Sequence, residues 1–310
     1  MDRFEAMSML VTVSETGSLS AAGRALKVPL ATLSRKISDL EALLGTRLLL
    51  RSTRKLTLTD AGTTYVAAAR RILEQVEDAE QAAAGEFTAP KGELVITAPI
   101  FFGRRHVLPV VADFLALFPA INVRLVLADR NVSLIDDHVD MAVRIGKLPD
   151  STMVATQIGL MRTVVCASPA LLDGRGVPRI PDDLLKLPCV TVDTPLPSPG
   201  WRFKAPGSGA TLDIPIVPRL SVTTTEAAAQ AAIRSVGVTR LLLYQVVDTV
   251  GAGALRIILD EFEPDPAPVN LVHASRGYMP LKMRRFLDFA APRLRKAVAN
   301  VDGGDVTEPG

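Results

Sequence analysis

The sequence predicts an α/β protein with an all-α N-terminal part, and three observations support this prediction. Residues 18–44 contain two amphipathic helices joined by a tight turn. Residues 59–84 carry one apolar stripe over about seven helical turns. From residue 93 onward, short apolar strands alternate with helices, a pattern typical of βα units. We therefore expect a helical N-terminal part, a long linking helix and two small α/β lobes.

A helix-turn-helix is predicted near the N-terminus. Residues 2–16 form a predicted first helix, which Gly17 ends. Ser18 and Ser20 are alternative N-caps of a short second helix, and Pro29 suits the first turn of a third helix. The predicted apolar face of the third helix consists of Leu33, Ile37, Leu40 and Leu44. This arrangement can place the third helix in a groove of DNA.

Charge favours DNA binding over the alternative of a solvated helical bundle. Residues 18–58 contain eight basic and two acidic side chains, a local charge of +6 in a chain whose net charge is +2. A local basic patch suits the neutralisation of phosphate groups. The DNA contacts predicted on the second and third helices are Ser20, Leu30, Thr32, Ser34, Arg35 and Lys36.

Two short strands, residues 48–50 and 55–58, are predicted after the third helix. The tip between them is basic, so we expect it to lie along the sugar-phosphate backbone as a wing. The DNA contacts predicted at this tip are Arg51, Ser52, Thr53 and Arg54.

A long helix is predicted over residues 59–84, with Thr59 or Asp60 as its cap. Its apolar stripe consists of Ala61, Tyr65, Ala68, Ile72, Val76, Ala79 and Ala83. Residues 60–86 contain two basic and six acidic side chains, so this helix is not expected to contact DNA. A second copy of the chain is the expected cover for the stripe. Packing against the C-terminal part of the same chain is the alternative.

Beyond a predicted hinge at residues 85–92, the α/β part extends over residues 93–302, and residues 303–310 are predicted to be a disordered tail. Predicted strands cover residues 94–98, 123–127, 141–145, 162–167, 190–192, 254–259 and 269–273. Predicted helices cover residues 104–118, 132–138, 226–236, 242–250 and 280–298. Alternation of this kind predicts mostly parallel sheets.

A small-molecule site is predicted in the cleft between the lobes, at the carboxyl ends of strands and the helix starts that follow them. Hydroxyl groups on one side and aromatic rings on the other suit an anionic or aromatic molecule. The predicted contacts are Pro99, Ile100, Phe101, Arg144, Gly146, Thr223, Thr224 and Thr225. The alternatives are core phenylalanines, ordinary threonine N-caps, and an ion pair between Arg144 and Asp140.

Arg104, Arg105 and His106 form a basic cluster at the start of a predicted helix. Unpaired positive charges oppose the helix dipole there. We therefore expect acidic partners for them, or a contact with another subunit.

Enzymatic, metal-binding and membrane functions have little support in the sequence. The two cysteines, Cys166 and Cys189, and three widely separated histidines predict no metal, cofactor or disulfide framework. We find no catalytic constellation and expect no enzyme. The longest charge-free run, residues 151–161, has 11 residues and is too short to span a bilayer. Because the N-terminus also lacks a signal peptide, we expect a cytoplasmic protein without a membrane partner.

Several motifs occur in the order and spacing of a known family. They are FEAM at residues 4–7, ETGSLSAA at 15–22, LSRKI at 33–37, LE at 40–41, LG at 44–45, RSTRK at 51–55, LTDAG at 58–62, RIG at 144–146 and CASP at 166–169. The chain resembles LysR-type transcriptional regulators over nearly its whole length. It departs from the family pattern at Pro29-Leu30, where Ser-Pro is frequent, and at Gly23, where Ala is frequent.

The resemblance implies a winged helix-turn-helix over residues 1–58, a dimerisation helix over 59–84 and a two-lobed effector domain that resembles periplasmic binding proteins. It also implies two crossings between the lobes, near residues 163–167 and 269–273. Lobe I would then comprise about residues 93–162 and 270–302, and lobe II about 163–269.

We therefore predict an effector-responsive transcriptional regulator. Its expected partners are a double-stranded DNA operator, a small-molecule effector and further copies of the chain in a homodimer or homotetramer. RNA polymerase is a further expected partner. Two rival hypotheses are a sensor that no longer binds DNA and an architectural DNA-binding protein that ignores small molecules.

Overall fold

The computed structural model of the chain describes residues 2–51, 56–83, 90–130, 132–148, 153–193, 200–274 and 279–302. The chain divides into an N-terminal unit, residues 1–89, and a C-terminal unit, residues 90–310. Most of the predicted wing tip, most of the predicted hinge and the predicted tail lie outside the described residues.

The N-terminal unit contains four helices and a two-stranded sheet within the described residues. They are α1 (Arg3–Thr16), α2 (Leu19–Leu26), α3 (Leu30–Leu44), β1 (Leu49–Arg51), β2 (Leu56–Leu58) and α4 (Asp60–Ala83).

The ends of these helices are determined by capping residues close to them in sequence. Asp2 caps α1 by accepting a hydrogen bond from the Phe4 amide at 2.9 Å, and the backbone of Gly17 is left-handed. Of the two predicted caps of α2, Ser18 is the one that accepts a bond, from Ala21.

The core of this unit lies between α1 and α3. Leu10, Leu33, Ile37 and Leu40 are fully buried in it, as the apolar pattern of α3 predicts. Leu44 is wrong as a core residue, because α3 ends there and the side chain is partly exposed.

The end of α3 is bonded to the strands of the wing. The Glu41 carboxylate accepts hydrogen bonds from the amides of Leu48 at 2.7 Å and Leu49 at 3.0 Å. Strand β1 in turn pairs antiparallel with β2, with Leu49 opposite Leu58. The third helix and the base of the wing are therefore tied together by one side chain.

The start of α4 lies directly against the wing. Thr59 caps it, since its hydroxyl accepts from the Gly62 amide at 2.8 Å and donates to the Arg47 carbonyl. A Cβ atom on Gly62 would lie 2.0 Å from the Leu48 carbonyl oxygen. Only glycine allows this close approach without a shift of the backbone.

Helix α4 packs on α1 with a face that is offset from the predicted stripe. Gly62, Val66 and Ala69 are the buried residues of this face. Ile72, in the middle of the predicted stripe, is 37% exposed. The N-terminal unit thus leaves Ala61, Ile72 and Ala79 of the predicted stripe exposed and covers Tyr65, Ala68 and Val76 only in part.

The C-terminal unit is built from twelve strands and six α-helices within the described residues. They are β3 (Gly92–Ala98), α5 (Ile100–Phe102), α6 (Leu108–Leu117), β4 (Ile121–Leu127), β5 (Met141–Ile145), β6 (Val154–Met161), β7 (Thr163–Ala167), α7 (Pro169–Arg175), β8 (Cys189–Val192), β9 (Trp201–Lys204), β10 (Thr211–Ile214), β11 (Pro218–Val222), α8 (Thr225–Ile233), β12 (Val238–Leu242), α9 (Val247–Gly251), β13 (Arg256–Ile258), β14 (Ala267–His273) and α10 (Leu281–Asp302). A π-helical segment, Gly103–Val107, joins α5 to α6.

Two five-stranded sheets define the two lobes. The sheet of lobe I has the order β4-β3-β5-β14-β6, and that of lobe II has the order β11-β8-β12-β7-β13. Helices α6 and α10 pack on the first sheet, where Phe114 and Phe286 meet edge to face at 5.1 Å. Helix α8 packs on the second sheet through buried alanines such as Ala228 and Ala232.

The prediction of mostly parallel sheets is wrong. Half of the pairings in the two large sheets are antiparallel, because β14 enters lobe I between β5 and β6, and β7 pairs antiparallel with β12 and β13. Strand β14 joins the sheet of lobe I at Ala267, slightly before the predicted residue 270.

One predicted helix is absent from the described residues that it covers, and a second is shorter than predicted. Residues 134–138 form turns, in which Ser133 bonds to Asp136 and Asp137 and the backbone of His138 is left-handed. In the second predicted helix, over residues 242–250, the end of β12 and a single 3₁₀ turn come first, so that α9 begins only at Val247. The Gln245 side chain accepts from the Leu242 amide there at 2.9 Å, in place of a helical bond.

We predict that Glu41→Ala will loosen the base of the wing. Two amides of the buried residues Leu48 and Leu49 lose their acceptor, so the local stability should fall by about 1–3 kcal/mol. Hydrogen–deuterium exchange over residues 46–51 of the full-length chain measures this directly. Glu41→Gln, which keeps a carbonyl acceptor, is the control and should retain most of the protection. Equal protection in wild type and Glu41→Ala would contradict the role of Glu41.

Candidate nucleic-acid interface and ligand cavity

The predicted DNA contacts lie on the face of α3 that points away from the core. Arg35 is exposed, and Thr32, Ser34 and Lys36 are partly buried. Leu30, in the first turn, is 49% exposed. Ser20 is exposed in the first turn of α2. The structure therefore leaves an exposed guanidinium on a polar helix surface, as contact with a groove requires.

Lys36 differs from Arg35 in having an acidic partner within the unit. Its Nζ lies 2.5 Å from the Glu5 carboxylate of α1. Part of its charge is therefore used to join α3 to α1. No equivalent ion pair involves Arg35 among the described residues, so its charge remains available to DNA.

Of the four predicted wing contacts, one lies within the described residues. Arg51 is the last residue of β1, while Ser52, Thr53 and Arg54 lie outside the described residues. The strands that bear the tip are held by Glu41, as described above.

A cavity of about 740 Å³ lies in the C-terminal unit, mainly in lobe II. Its walls come from the carboxyl ends of β8, β11 and β12, with Ile145 contributed by β5 of lobe I. Its lining consists of Ile145, Thr163, Thr191, Val192, Asp193, Gly200, Trp201, Ile216, Pro218, Ser221, Thr225, Arg240, Leu241, Leu242 and Gln245. Strand ends at an opening between lobes are where ligands bind in α/β folds.

Of the predicted effector residues, Thr225 is the one that appears among the described lining residues of this cavity. Its neighbour Thr224 is the N-cap of α8, and its hydroxyl accepts from the Ala227 amide at 3.2 Å. Thr223 is exposed just before the helix. The predicted threonine run therefore divides into a helix cap and a cavity-lining residue.

Pro99, Ile100 and Phe101 belong to lobe I and are not among the described lining residues of this cavity. Pro99 precedes α5, and the Ile100 amide donates to Asp129 at 3.0 Å. The Phe101 ring lies 5.8 Å from the ring of Tyr244 in lobe II.

The remaining two predicted residues flank Ile145 on lobe I. The Arg144 guanidinium donates to the Val132 carbonyl, and burial lowers the pKa of Arg144. Gly146 has a φ of 111°, and its amide donates to the Pro268 carbonyl at 2.9 Å. Both residues thus have roles in holding the end of β5.

The basic cluster of lobe I pairs with acids of lobe II. Arg104 lies 3.0 Å from Glu226 in α8, and a nitrogen of Arg105 lies 2.8 Å from Asp248 in α9. The hydrogen bond from Arg105 is the main cause that lowers the pKa of Asp248. The predicted acidic partners are therefore present in the same chain.

An aromatic cluster accompanies these ion pairs. Phe102 and His106 of lobe I pack against Tyr244 of lobe II, with ring centroids 5.4 Å and 6.2 Å from the tyrosine ring. Burial, followed by the nearby charge of Arg105, lowers the pKa of His106 to about 4. His106 is therefore neutral at pH 7.

The sequence prediction missed Trp201 and Arg240 as lining residues. Arg240 interrupts an otherwise uncharged run from Val236 to Val247, and Trp201 is the single tryptophan of the chain. A charged residue in an apolar strand was the signal that could have identified the cavity.

Neither cysteine has the environment of a reactive thiol. Cys166 and Cys189 are buried, and burial raises the pKa of their thiols to about 12 and about 11. Within the described ranges, no group of His, Cys, Asp and Glu side chains could hold a metal ion. No helix among the described residues is long and apolar enough to cross a membrane.

Two protein families match the chain, one in each unit. Residues 4–63 match the "Bacterial regulatory helix-turn-helix protein, lysR family", and residues 88–295 match the "LysR substrate binding domain". The second match alone covers more than half of the chain.

Individual relatives agree with these matches. An HTH-type transcriptional regulator of Xanthomonas campestris pv. campestris is 33% identical over 92% of this chain and 84% of its own length. The HTH-type transcriptional activator AaeR of Escherichia coli is 30% identical over 92% of this chain and 91% of its own length. The structure of CrgA, a LysR-type transcriptional regulator from Neisseria meningitidis, is 30% identical with a TM-score of 0.59, over 94% of this chain and 98% of CrgA.

These matches span the helix-turn-helix, the linking helix and both α/β lobes in a single order. The family consists of transcriptional regulators that combine a DNA-binding domain with an effector-binding domain. The chain belongs to the family of LysR-type transcriptional regulators.

Proposed function

We propose that the chain controls transcription by binding an operator through α3 and the wing, and that a small molecule in the 740 Å³ cavity changes its affinity for that operator. The observation that carries the DNA-binding part is the polar outer face of α3, opposite its buried stripe. Arg35 is its most available charge, since Lys36 is paired with Glu5. Arg51 and Arg54 remain predicted phosphate contacts.

The position of the cavity supports the effector part of the proposal. It takes residues from both lobes, and the lobes also meet through the pairs of Arg104 with Glu226 and Arg105 with Asp248. A ligand that contacts Ile145 on one side and Thr225 on the other favours one arrangement of the lobes over others. The predicted contacts around Pro99–Phe101, Arg144–Gly146 and Thr223–Thr224 remain part of this proposal at the rim.

We further propose a homodimer in which α4 of one chain covers the exposed stripe of the other, with a homotetramer as the larger assembly. Two recognition helices would then bind half-sites about one helical turn apart. Because operator DNA and RNA polymerase lie in the bacterial cytoplasm, we propose that the chain acts there and that it meets RNA polymerase at the promoter.

We predict that Arg35→Ala will weaken operator binding by about 1–3 kcal/mol, because a guanidinium that contacts a base edge is lost. Fluorescence anisotropy with an operator selected from random DNA by the wild-type chain measures the affinity. Arg175→Ala is the matched control, since it removes an equal exposed charge from the C-terminal unit. Wild-type affinity in a folded Arg35→Ala protein would remove Arg35 from the interface.

We predict that Ile72→Glu will separate the dimer, because it places a carboxylate in the covered stripe. Light scattering at micromolar concentrations should then give a monomer. Ala67→Glu introduces the same charge on an exposed part of α4 outside the stripe, and it should remain dimeric. A monomeric wild type, or a dimeric Ile72→Glu protein, would refute this assembly.

A further inference from the structure

We propose that the cavity binds a monocarboxylate with an apolar or aromatic body, and that Arg240 binds its carboxylate. This inference rests on the proposed function, because it names the class of molecule that the proposed effector cavity takes.

Arg240 lies in a row of polar side chains across three strands. In the register of the lobe II sheet, Ser221 of β11 is opposite Thr191 of β8. Thr239 of β12 is opposite Val190, so Arg240 is next to Thr191. Paired residues of adjacent strands lie on one face of a sheet. All three polar residues line the cavity.

The hydroxyl groups in this row leave a donor for a ligand. The oxygens of Thr191 and Ser221 are 2.9 Å apart, so one hydroxyl donates to the other. The hydroxyl that accepts still has its own hydrogen to donate. The row therefore offers a hydroxyl donor beside a guanidinium, which suits a carboxylate oxygen.

The Arg240 guanidinium uses few of its donors within the protein. One nitrogen donates to the Arg202 backbone carbonyl at 3.3 Å, and the group lies 5.9 Å from the centre of the Trp201 ring. A guanidinium has five N–H groups. No carboxylate of a described residue is bonded to Arg240.

The nearby acid is already bonded to a different arginine. Asp213 lies 3.2 Å from Arg202, the residue that follows Trp201. Burial, and then the charge of Arg202, lower the pKa of Arg240. The charge of Asp213 opposes this lowering only in part. A partly buried cation that shares its nearby acid with another arginine is costly, and a bound anion supplies further negative charge.

The walls of the cavity select an anion of low charge with an apolar body. Trp201, which is 7% exposed, lies with Val192, Ile216 and Leu241 along the cavity. Asp193 also lines the cavity, and its negative charge disfavours a second negative charge on the ligand. A planar monocarboxylate also matches the fork of a guanidinium, which can bind it through two parallel bonds.

The test uses acids paired with their neutral amides of nearly equal shape. The probes are benzoate and benzamide, phenylacetate and phenylacetamide, and 3-methylbutanoate and 3-methylbutanamide. Full-length wild-type protein is titrated with each by calorimetry and by thermal shift, since a bound ligand raises the melting temperature. We expect at least one acid to bind and to bind at least tenfold more tightly than its amide.

The same titrations on variants identify the residue. Arg240→Gln should weaken binding of that acid by at least tenfold, and Arg240→Lys, which keeps the charge without the fork, should weaken it less. Arg256→Gln is the matched control, because it removes an exposed arginine of the same sheet that does not line the cavity. It should bind the acid as wild type does. The comparison of acid with amide needs no variant, so it decides the question even where Arg240→Gln unfolds.

The outcomes separate this inference from the proposed function. Equal binding of acid and amide, binding that Arg240→Gln retains, or no acid binding at millimolar concentration would overturn the carboxylate site. Anisotropy with the selected operator is then measured with and without each bound probe. Acid binding that depends on Arg240 but leaves operator affinity unchanged supports the carboxylate site and contradicts the effector role.

Discussion

The C-terminal unit depends on one bidentate ion pair, between Arg162 and Glu263. Arg162 lies between β6 of lobe I and β7 of lobe II, and Glu263 lies in the segment that returns from β13 to β14. Their bonds measure 2.8 and 2.9 Å, and Glu263 is mostly buried. The pair thus joins the two chain segments that connect the lobes. The cavity has walls from both lobes, so its shape depends on this connection.

The N-terminal unit could be predicted from sequence because its signals are local. Asp2, Ser18 and Gly45 fix helix ends within a few residues of themselves, and the spacing of leucines in α3 fixes its buried face. The sheets of the lobes depend on distant partners. Nothing near β14 shows that it enters between β5 and β6, so the antiparallel pairings were missed.

The candidate sites show the same difference between features set by local sequence and features set by distant contacts. The exposed face of α3 was predictable from its period, although the pairing of Lys36 with Glu5 joins two separate helices. In the cavity, Trp201 is positioned by the β9–β10 hairpin, and Arg240 by the register of β12 with β8. Both are products of strand pairing. Sequence alone also could not decide which threonine caps α8 and which lines the cavity.

The close contact between Gly62 and Leu48 couples the orientation of α4 to that of the wing strands. With its first turn held against the Leu48 carbonyl, the helix cannot turn independently of the strands at its base. Its 24 residues extend over about 36 Å. A tilt of about 10° around its far end would therefore carry the wing through roughly 6 Å, about two steps between base pairs. A small rotation at the remote end of this helix therefore corresponds to a displacement of the wing on the scale of the spacing between base pairs.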